Sequence, residues 1–533
     1  MTPHPSSLPL QSWVQEIRLS EPSLKDNTAD ADRLWLALAA RLGPSEQHPS
    51  TDWDILYSLP DMLRKSAYAV QAVLFHDTFR PVLVDILPLA DPSPVYGIAV
   101  DLGTTRIVIR LVDLKTRSVC GETAFDNPQI AIGPDILSRV HYSSNIDGGL
   151  ERLQQDAIDG LNREIAGLCL AAGSNPERVF LMSVSGNTTM SHFFLGLSPY
   201  HLIREPYIPV VNRPPIVSAN QLGLKLRPTA KVFVFPNIGS YFGGDLISGI
   251  LHSGLHRREE TALLVDVGTN AEVVLGNASW MMACAGAAGP ALEGGVTRMG
   301  MMAGAGAIDR VDIHPETGQL VIHTIGDQKP KGICGSGIID LAACLFRKGF
   351  IDVRGKLVPS ACGNRLMDRE GILAFRIVDA SDSATGEALF LTQADIDSLI
   401  RSKAAMYTIL ETLTATVGMT PQELQSVLIA GTFGMFINPV SAITIGMIPD
   451  LPLERYRAIG NSSLEGATLV LIQPEVMTEI PNIQRNITYM ELNVNADFMN
   501  RFSAAKFLPH TDPKLFPSVN RKPIDNADGP VAN

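Results

Sequence analysis

Apolar positions change their spacing along the chain, and those changes divide it. Residues 29–42 (ADADRLWLALAARL) place apolar side chains at helical spacing and stop at Gly43-Pro44. Residues 55–65 carry a second short helical pattern around Leu59-Pro60. Residues 67–75 and 81–87 read instead as two strands, with His76-Asp77 near the turn. Together they predict a small α+β domain over residues 19–94, ended by a Pro-punctuated joint from Leu87-Pro88 to Ser93-Pro94. From residue 95 to 510, strand-like runs alternate with helical stretches and Gly-rich turns, an α/β pattern. Within it, residues 392–407 (TQADIDSLIRSKAAMY) open a helix with a capping signal, Thr392 three positions before Asp395. Residues 1–18 are expected to form a flexible arm, and 511–533, polar and Pro-rich, a disordered tail.

One pattern occurs twice. Residues 95–111 read VYGIAVDLGTTRIVIRL and residues 262–277 read ALLVDVGTNAEVVLGN. Each is an apolar strand, an Asp-x-Gly-Thr turn and a second β-rich run, hence a repeated β-hairpin. The turn chemistry suits phosphate. Gly103 and Gly268 let the backbone approach an oxygen closely, and Thr104, Thr105, Thr269 and Asn270 add hydroxyl or amide donors beside free turn N–H groups. Asp101 and Asp266, at the strand ends, can hold Mg²⁺ through water, because that ion dehydrates reluctantly; each could equally cap its own turn. A third segment, residues 427–436 (VLIAGTFGMF), is a buried strand feeding a turn in which Gly431 and Gly434, flanking Thr432 and Phe433, let the backbone lie flat against a planar ring.

Other segments carry single candidates. Asp245, in GGDLISG, faces the phosphates or caps a helix. Glu293, in AAGPALEGG, orients a water for attack on the γ-phosphate or pairs with Arg298. Asn187 and Thr188 (SGNTTM) form a turn that touches phosphate or steadies a hinge. Gly335 and Ser336, in GICGSGIID, open a helix with small residues suited to close packing. His192 reads as a hydrogen-bonded core histidine rather than a ligand, and Met299, Met301 and Met302 as packing.

Composition narrows the function. At about 150 residues per domain the length implies three to four structural units. The chain has 533 residues, 45% hydrophobic and 18% charged, with a formal net charge of −12, which disfavours nucleic acid as a partner. No apolar run reaches about 18 residues, so no membrane span is expected. The start, MTPHPSSLPLQSW, lacks a basic segment followed by an apolar one, so a cytoplasmic location is expected. The six cysteines include no CxxC; buried, reduced thiols are expected, with no local zinc or iron–sulfur motif.

Two phosphate hairpins, a connecting helix and a Gly-rich adenosine turn resemble the actin, sugar kinase and heat-shock ATPase superfamily. More closely, the chain is similar to the reductive activators of corrinoid proteins. The resemblance runs over residues 21–509 and rests on YGIAVDLGTTRIVIRLVDL, NPQIAIGPDILSRV, SGNTTMSH, GGDLISGIL, LLVDVGTNAEVVLG, AAGPALEGG, GICGSGIIDL and AGTFGMFINPVSAITIGMIPD. It implies a two-lobed actin-like ATPase with duplicated β-hairpin/α cores, preceded by the small α+β domain. It implies Mg·ATP as cofactor, bound by Gly103, Thr104, Thr105, Asn187, Thr188, Gly268, Thr269, Asn270, Gly335, Ser336, Gly431, Thr432, Phe433 and Gly434. Asp101, Asp245, Asp266 and Glu293 are then the catalytic set, and Asp101 and Asp266 the metal-side pair. The partner implied is a corrinoid protein of a methyltransferase system, whose cob(II)alamin is reduced to cob(I)alamin. A homodimer is compatible with it.

Family members usually carry an electron-transfer domain, either an N-terminal [2Fe–2S] domain or C-terminal ferredoxin repeats. This chain has no cysteine before Cys120 and none after Cys362. The expectation is therefore no cluster in this chain and a separate low-potential donor, a ferredoxin or flavoprotein. Two other readings stand beside it: a small-molecule kinase on the same scaffold, and a nucleotide-gated scaffold without turnover.

Overall fold

The computed structural model describes residues 12–42, 49–76, 80–267, 270–287, 297–314, 316–317, 319–369, 371–431, 436–490 and 497–519. The chain divides into two compact units. The first runs to Gly254 and takes up Ser462–Asn486; the second comprises Leu255–Asn461 and the chain from Ile487 onward.

The first unit begins with a four-stranded sheet, β1 (Val14–Arg18), β2 (Ser50–Thr51), β3 (Ala69–His76) and β4 (Pro81–Pro88), in the order β1-β3-β4-β2. Two helices cover it, Asp30–Leu42 and Trp53–Lys65. Their apolar stripes, Leu34 and Leu38 on one and Ile55, Leu59 and Leu63 on the other, meet Val70, Ala72, Leu74, Leu83 and Ile86 of the sheet. The arm expected over residues 1–18 stops short of Val14: from there the chain pairs with β3, Val14 opposite Val73. Trp13 is buried against Phe75, ring centroids 4.7 Å apart.

The Pro-rich joint at 88–94 does not detach this small sheet. Asp85 accepts from Arg227 Nε (2.7 Å) and Thr229 Oγ1 (2.7 Å), Asp91 pairs with Arg178 at 3.1 Å, and Asp52 pairs with Lys231. Three carboxylates of the small sheet and its connections thus meet three cations of the next one.

That next sheet holds β5 (Tyr96–Leu102), β6 (Arg106–Asp113), β7 (Ser118–Asp126), β8 (Val179–Ser185), β9 (Val217–Ser218) and β10 (Lys231–Val234), in the order β7-β6-β5-β8-β10-β9. β5–β7 form an antiparallel meander, and β8 and β10 add in parallel. The second unit repeats this. Its strands are β11 (Ala262–Val267), β12 (Asn270–Gly276), β13 (Met281–Ala287), β14 (Ala307–Ile313), β15 (Leu320–Thr324), β16 (Gly332–Ile333), β17 (Leu366–Arg369), β18 (Ile372–Val378), β19 (Leu389–Thr392), β20 (Ser426–Ala430), β21 (Tyr456–Gly460) and β22 (Ile487–Tyr489). The large sheet runs β21-β20-β11-β12-β13-β22, and β14–β16 and β17–β19 form two small ones. Counted from β7 and from β13, both large sheets show two antiparallel steps followed by two parallel ones. The duplication legible in the hairpins therefore extends over five strands. The parallel strands β8 and β20 are buried at every position, as strands covered on both faces must be.

The capping signal at Thr392 is realised. Its side chain accepts from Asp395 N, and Asp395 Oδ2 accepts from Thr392 N at 2.8 Å, opening the helix Gln393–Thr416. The tail expected from residue 511 is ordered at its start. Phe516 is buried, 5.3 Å from the Tyr407 ring, and Lys403 of the same helix holds the carbonyls of Phe507 (2.5 Å) and Pro509 (2.7 Å). Residues 520–533 lie outside the described residues. Five cysteines are buried as expected, but Cys120, on β7, is exposed. Among the described residues no helix is long and apolar enough to cross a membrane.

Candidate functional site

In the first unit three turns converge. The β5–β6 hairpin closes with Leu102 opposite Ile107, leaving Gly103, Thr104 and Thr105 in the turn. Gly103 is required there, since a Cβ would stand 2.2 Å from Arg106 O. Asn127 braces the turn from below: its Nδ2 donates to Gly103 O (2.9 Å) and its backbone N–H to Thr105 O (2.8 Å). Thr104 Oγ1 accepts from Asn187 Nδ2 at 3.0 Å. Asn187 also caps the helix Thr188–Leu195, its Oδ1 accepting from Met190 N at 2.9 Å. Thr188 Oγ1 donates to Gly239 O at 3.2 Å. The third turn is pressed against the second: a Cβ on Gly243 would lie 2.3 Å from Asn187 Cα, 2.7 Å from Gly186 O and 2.6 Å from Asp245 Oδ1.

Asp245 sits in the first turn of the helix Gly244–Ser253, where its charge meets the positive end of the helix. Asp101, half-buried at the end of β5, accepts from Ser463 Oγ at 2.7 Å. Six predicted residues, Asp101, Gly103, Thr104, Asn187, Thr188 and Asp245, are thus gathered around one hairpin, while Thr105 points to solvent. His192 fills the core role expected of it. It is 1% exposed, its Nε2 accepts from Val210 N (3.1 Å), and its Nδ1 therefore donates to Thr188 O (2.7 Å).

In the second unit Asp266 ends β11, opposite Glu272 of β12 and beside Ala430 of β20. Gly431 has φ +80°, and a Cβ on it would stand 2.9 Å from Asp266 Oδ1 and 3.1 Å from Val267 O. Gly431, directly after β20, therefore lies against the end of β11. Gly268, Thr269, Glu293, Thr432, Phe433 and Gly434 lie outside the described residues, as does the Asn270 side chain. Gly335 and Ser336 open the buried helix Gly335–Arg347; Ser336 Oγ donates to Asp309 O (2.9 Å), and Gly337 is backed onto Ile308 O, so this segment locks helix to strand.

Sequence reasoning missed several partners. Asn127 and Ser463 bond the first hairpin from positions 24 and 362 residues away, which no local pattern signals. Glu272 stands directly opposite Asp266 across the ladder, so the two carboxylates share a face of the sheet. The register that aligns them was not evident before the hairpin was paired. Among the described residues no group of three His, Cys, Asp or Glu side chains is arranged to hold a metal. Burial pushes the Cys284 and Cys344 thiols up to about 12 and Cys169 up to about 11, so they stay protonated.

Comparison with known proteins follows the same division. Residues 11–90 match the RACo linker region, residues 96–258 the RACo middle region, and residues 260–520 the C-terminal domain of RACo, the ASKHA domain. The corrinoid activation enzyme RamQ of Eubacterium limosum is 32% identical over 428 residues, covering 79% of this chain and 72% of that protein. The chain belongs to the RACo family. A solved structure, the reductive activator for corrinoid,iron-sulfur protein, superposes with a TM-score of 0.85 at 36% identity, covering 97% of this chain and 82% of that one. The [Co(II) methylated amine-specific corrinoid protein] reductase of Methanosarcina barkeri is 24% identical over 425 residues, 74% of this chain and 73% of that protein. The actin-like ATPase fold of the family accounts for the twice-built sheet.

Proposed function

We propose that this RACo-family chain is an ATP-dependent activator that returns a corrinoid protein from cob(II)alamin to cob(I)alamin. One electron, taken from a separate low-potential donor such as a ferredoxin or flavoprotein, reduces the cobalt. The observation that carries the reading is the convergence of Thr104, Asn187 and Asp245 on the first hairpin, together with relatives over most of the chain named for corrinoid activation. Gly103, Thr104, Thr105, Asn187 and Thr188 offer N–H, hydroxyl and amide donors to phosphate oxygens. Gly268, Thr269 and Asn270 do the same on the second hairpin, and the 431–434 turn, Phe433 included, receives the adenosine. Gly335 and Ser336 are assigned to the same nucleotide site.

Asp101, and Asp266 with Glu272, would hold Mg²⁺ through its water shell, since that ion dehydrates reluctantly and keeps waters and phosphate oxygens among its ligands. Bound there, Mg²⁺ supplies charge neutralisation at the phosphates. Glu293 orients the attacking water, and Asp245 completes the charge around the phosphates. ATP can do work on a partner only where its nucleotide states favour different conformations, which sets the coupling to the corrinoid protein. The work is done in the cytoplasm.

Hydrolysis of ATP tests this. Turnover is expected to be slow for the chain alone and faster when an oxidised corrinoid protein is added. No stimulation by any cognate corrinoid protein, alongside phosphorylation of a small metabolite, would move the assignment to a kinase.

A further inference from the structure

The helix Ser462–Ile472 is the first element the chain builds after it leaves the second unit at Asn461 and re-enters the first. Ser463, in its first turn, donates to Asp101 Oδ1 at 2.7 Å and stands 2.9 Å from Ser185 Oγ, which in turn is 2.7 Å from Ser248 Oγ. Ser248 Oγ reaches Asp245 O at 2.8 Å. All three serines are buried. A chain of hydroxyls thus runs from the Asp101 carboxylate to the backbone of Asp245 and includes one group from this helix.

The helix is tied to its neighbours along its length, so that it shifts as one body. Glu465 and Thr468 both bond Arg110 of β6, at 2.8 and 3.1 Å, and Arg110 also pairs with Glu122 of β7 at 2.8 Å. Gly466 lies so close to the helix Gly244–Ser253 that a Cβ would stand 2.2 Å from Ser248 O. At the far end Val470 O accepts from Trp13 Nε1 at 2.8 Å, and Trp13 rests on Phe75 of the small N-terminal sheet. From Ser463 to Val470 the helix spans about 10 Å at 1.5 Å per residue, two turns of rigid backbone. One end touches the hairpin carboxylate and the other the small sheet. Because Ser463 is buried and Gly466 is wedged, a change in the position of Asp101 is relieved by moving the helix rather than by turning one hydroxyl.

We propose that Ser463 is a positioning residue for Asp101, and that the helix it opens carries the state of the first phosphate hairpin to the small N-terminal sheet through the Val470–Trp13 bond. This rests on the nucleotide reading given above.

The test is hydrogen–deuterium exchange of the full chain with and without Mg²⁺ and a non-hydrolysable ATP analogue, beside calorimetric binding of the same analogue. In the parent, the analogue is expected to slow exchange in Ser462–Ile472 and in the small-sheet strands Val14–Arg18 and Ala69–His76. Ser463→Ala is expected to raise the Mg²⁺ concentration for half-saturation about tenfold, the scale of one lost hydrogen bond to a charged group, and to abolish the small-sheet response. Trp13→Phe keeps an aromatic ring but no N–H; it is expected to bind the analogue like the parent, keep the helix response and lose the small-sheet response. A small-sheet response that survives in Trp13→Phe, or a Mg²⁺ requirement unchanged in a folded Ser463→Ala, overturns the inference while leaving nucleotide binding standing. A parent that binds no Mg·ATP overturns both.

Discussion

Gly431 and His192 show how single positions bear on the account. At Gly431 the backbone has φ +80° beside the Asp266 carboxylate. Gly431→Ala is expected to lose about 1–2 kcal/mol of stability from the left-handed backbone alone and to weaken nucleotide binding as well. Gly148→Ala is the comparison: φ is +71° but nothing lies within 4 Å, so stability falls without loss of binding. Thermal unfolding and calorimetry on both variants check this. For His192, burial lowers the pKa below its ordinary 6.5, and the Val210 N–H aimed at Nε2 leaves no place for a second proton. The unfolded chain takes up a proton that the folded chain refuses. Stability attributable to His192 is therefore intact above about pH 6.5 and is lost as pH falls toward the depressed folded value. Urea unfolding at several pH values should show His192→Gln less acid-sensitive than the parent, although less stable at neutral pH; equal acid sensitivity would contradict the tautomer assignment.

At the level of elements, the first hairpin and its neighbours separate two jobs of one residue. Asn187 caps the helix Thr188–Leu195 through Oδ1 and holds Thr104 through Nδ2. Asn187→Asp keeps the cap acceptor, so stability should change by less than about 1 kcal/mol, while the lost donor and added charge beside the phosphates should cut ATP affinity severely. Asn187→Ala should lose both, with about 1–2 kcal/mol of stability gone. Binding isotherms and melting curves separate the outcomes. Both hairpins were legible in the sequence because the Asp-x-Gly-Thr turn, common on its own, occurs twice with matching apolar flanks, and the Thr392–Asp395 cap because its signal is local. Ser463 was not legible, since its bond to Asp101 crosses 362 positions. Nor was β1: five residues of mixed polarity at a sheet edge, with one buried position, carry little alternation to read. The start of the expected tail was misread for a related reason. Phe516 is apolar in a polar stretch, and the Tyr407 ring that it packs against belongs to a distant helix.

For the molecule as a whole, the small N-terminal sheet is held to the first unit by charge as well as by Trp13. Asp85→Ala leaves Arg227 and Thr229 without their shared acceptor, and should destabilise the first unit by about 1–3 kcal/mol. Limited proteolysis should then cut near the joint at 88–94 sooner than in the parent; an unchanged digestion pattern would mean that the ion pairs are dispensable. With the Cys284 and Cys344 thiols held protonated by burial and no CxxC, the 533-residue chain is expected to be purified anaerobically without stoichiometric iron or acid-labile sulfide, and its activity then depends on a donor in solution. The central claim is that ATP on this scaffold drives cob(II)alamin to cob(I)alamin on a partner. The most direct measurement is the anaerobic absorption spectrum of a cognate corrinoid protein mixed with this chain, Mg·ATP and a reduced low-potential ferredoxin. The account predicts that the Co(I) band grows only when chain, ATP and donor are all present. A Co(I) band that grows equally without ATP, or never grows with any cognate corrinoid protein, would contradict it.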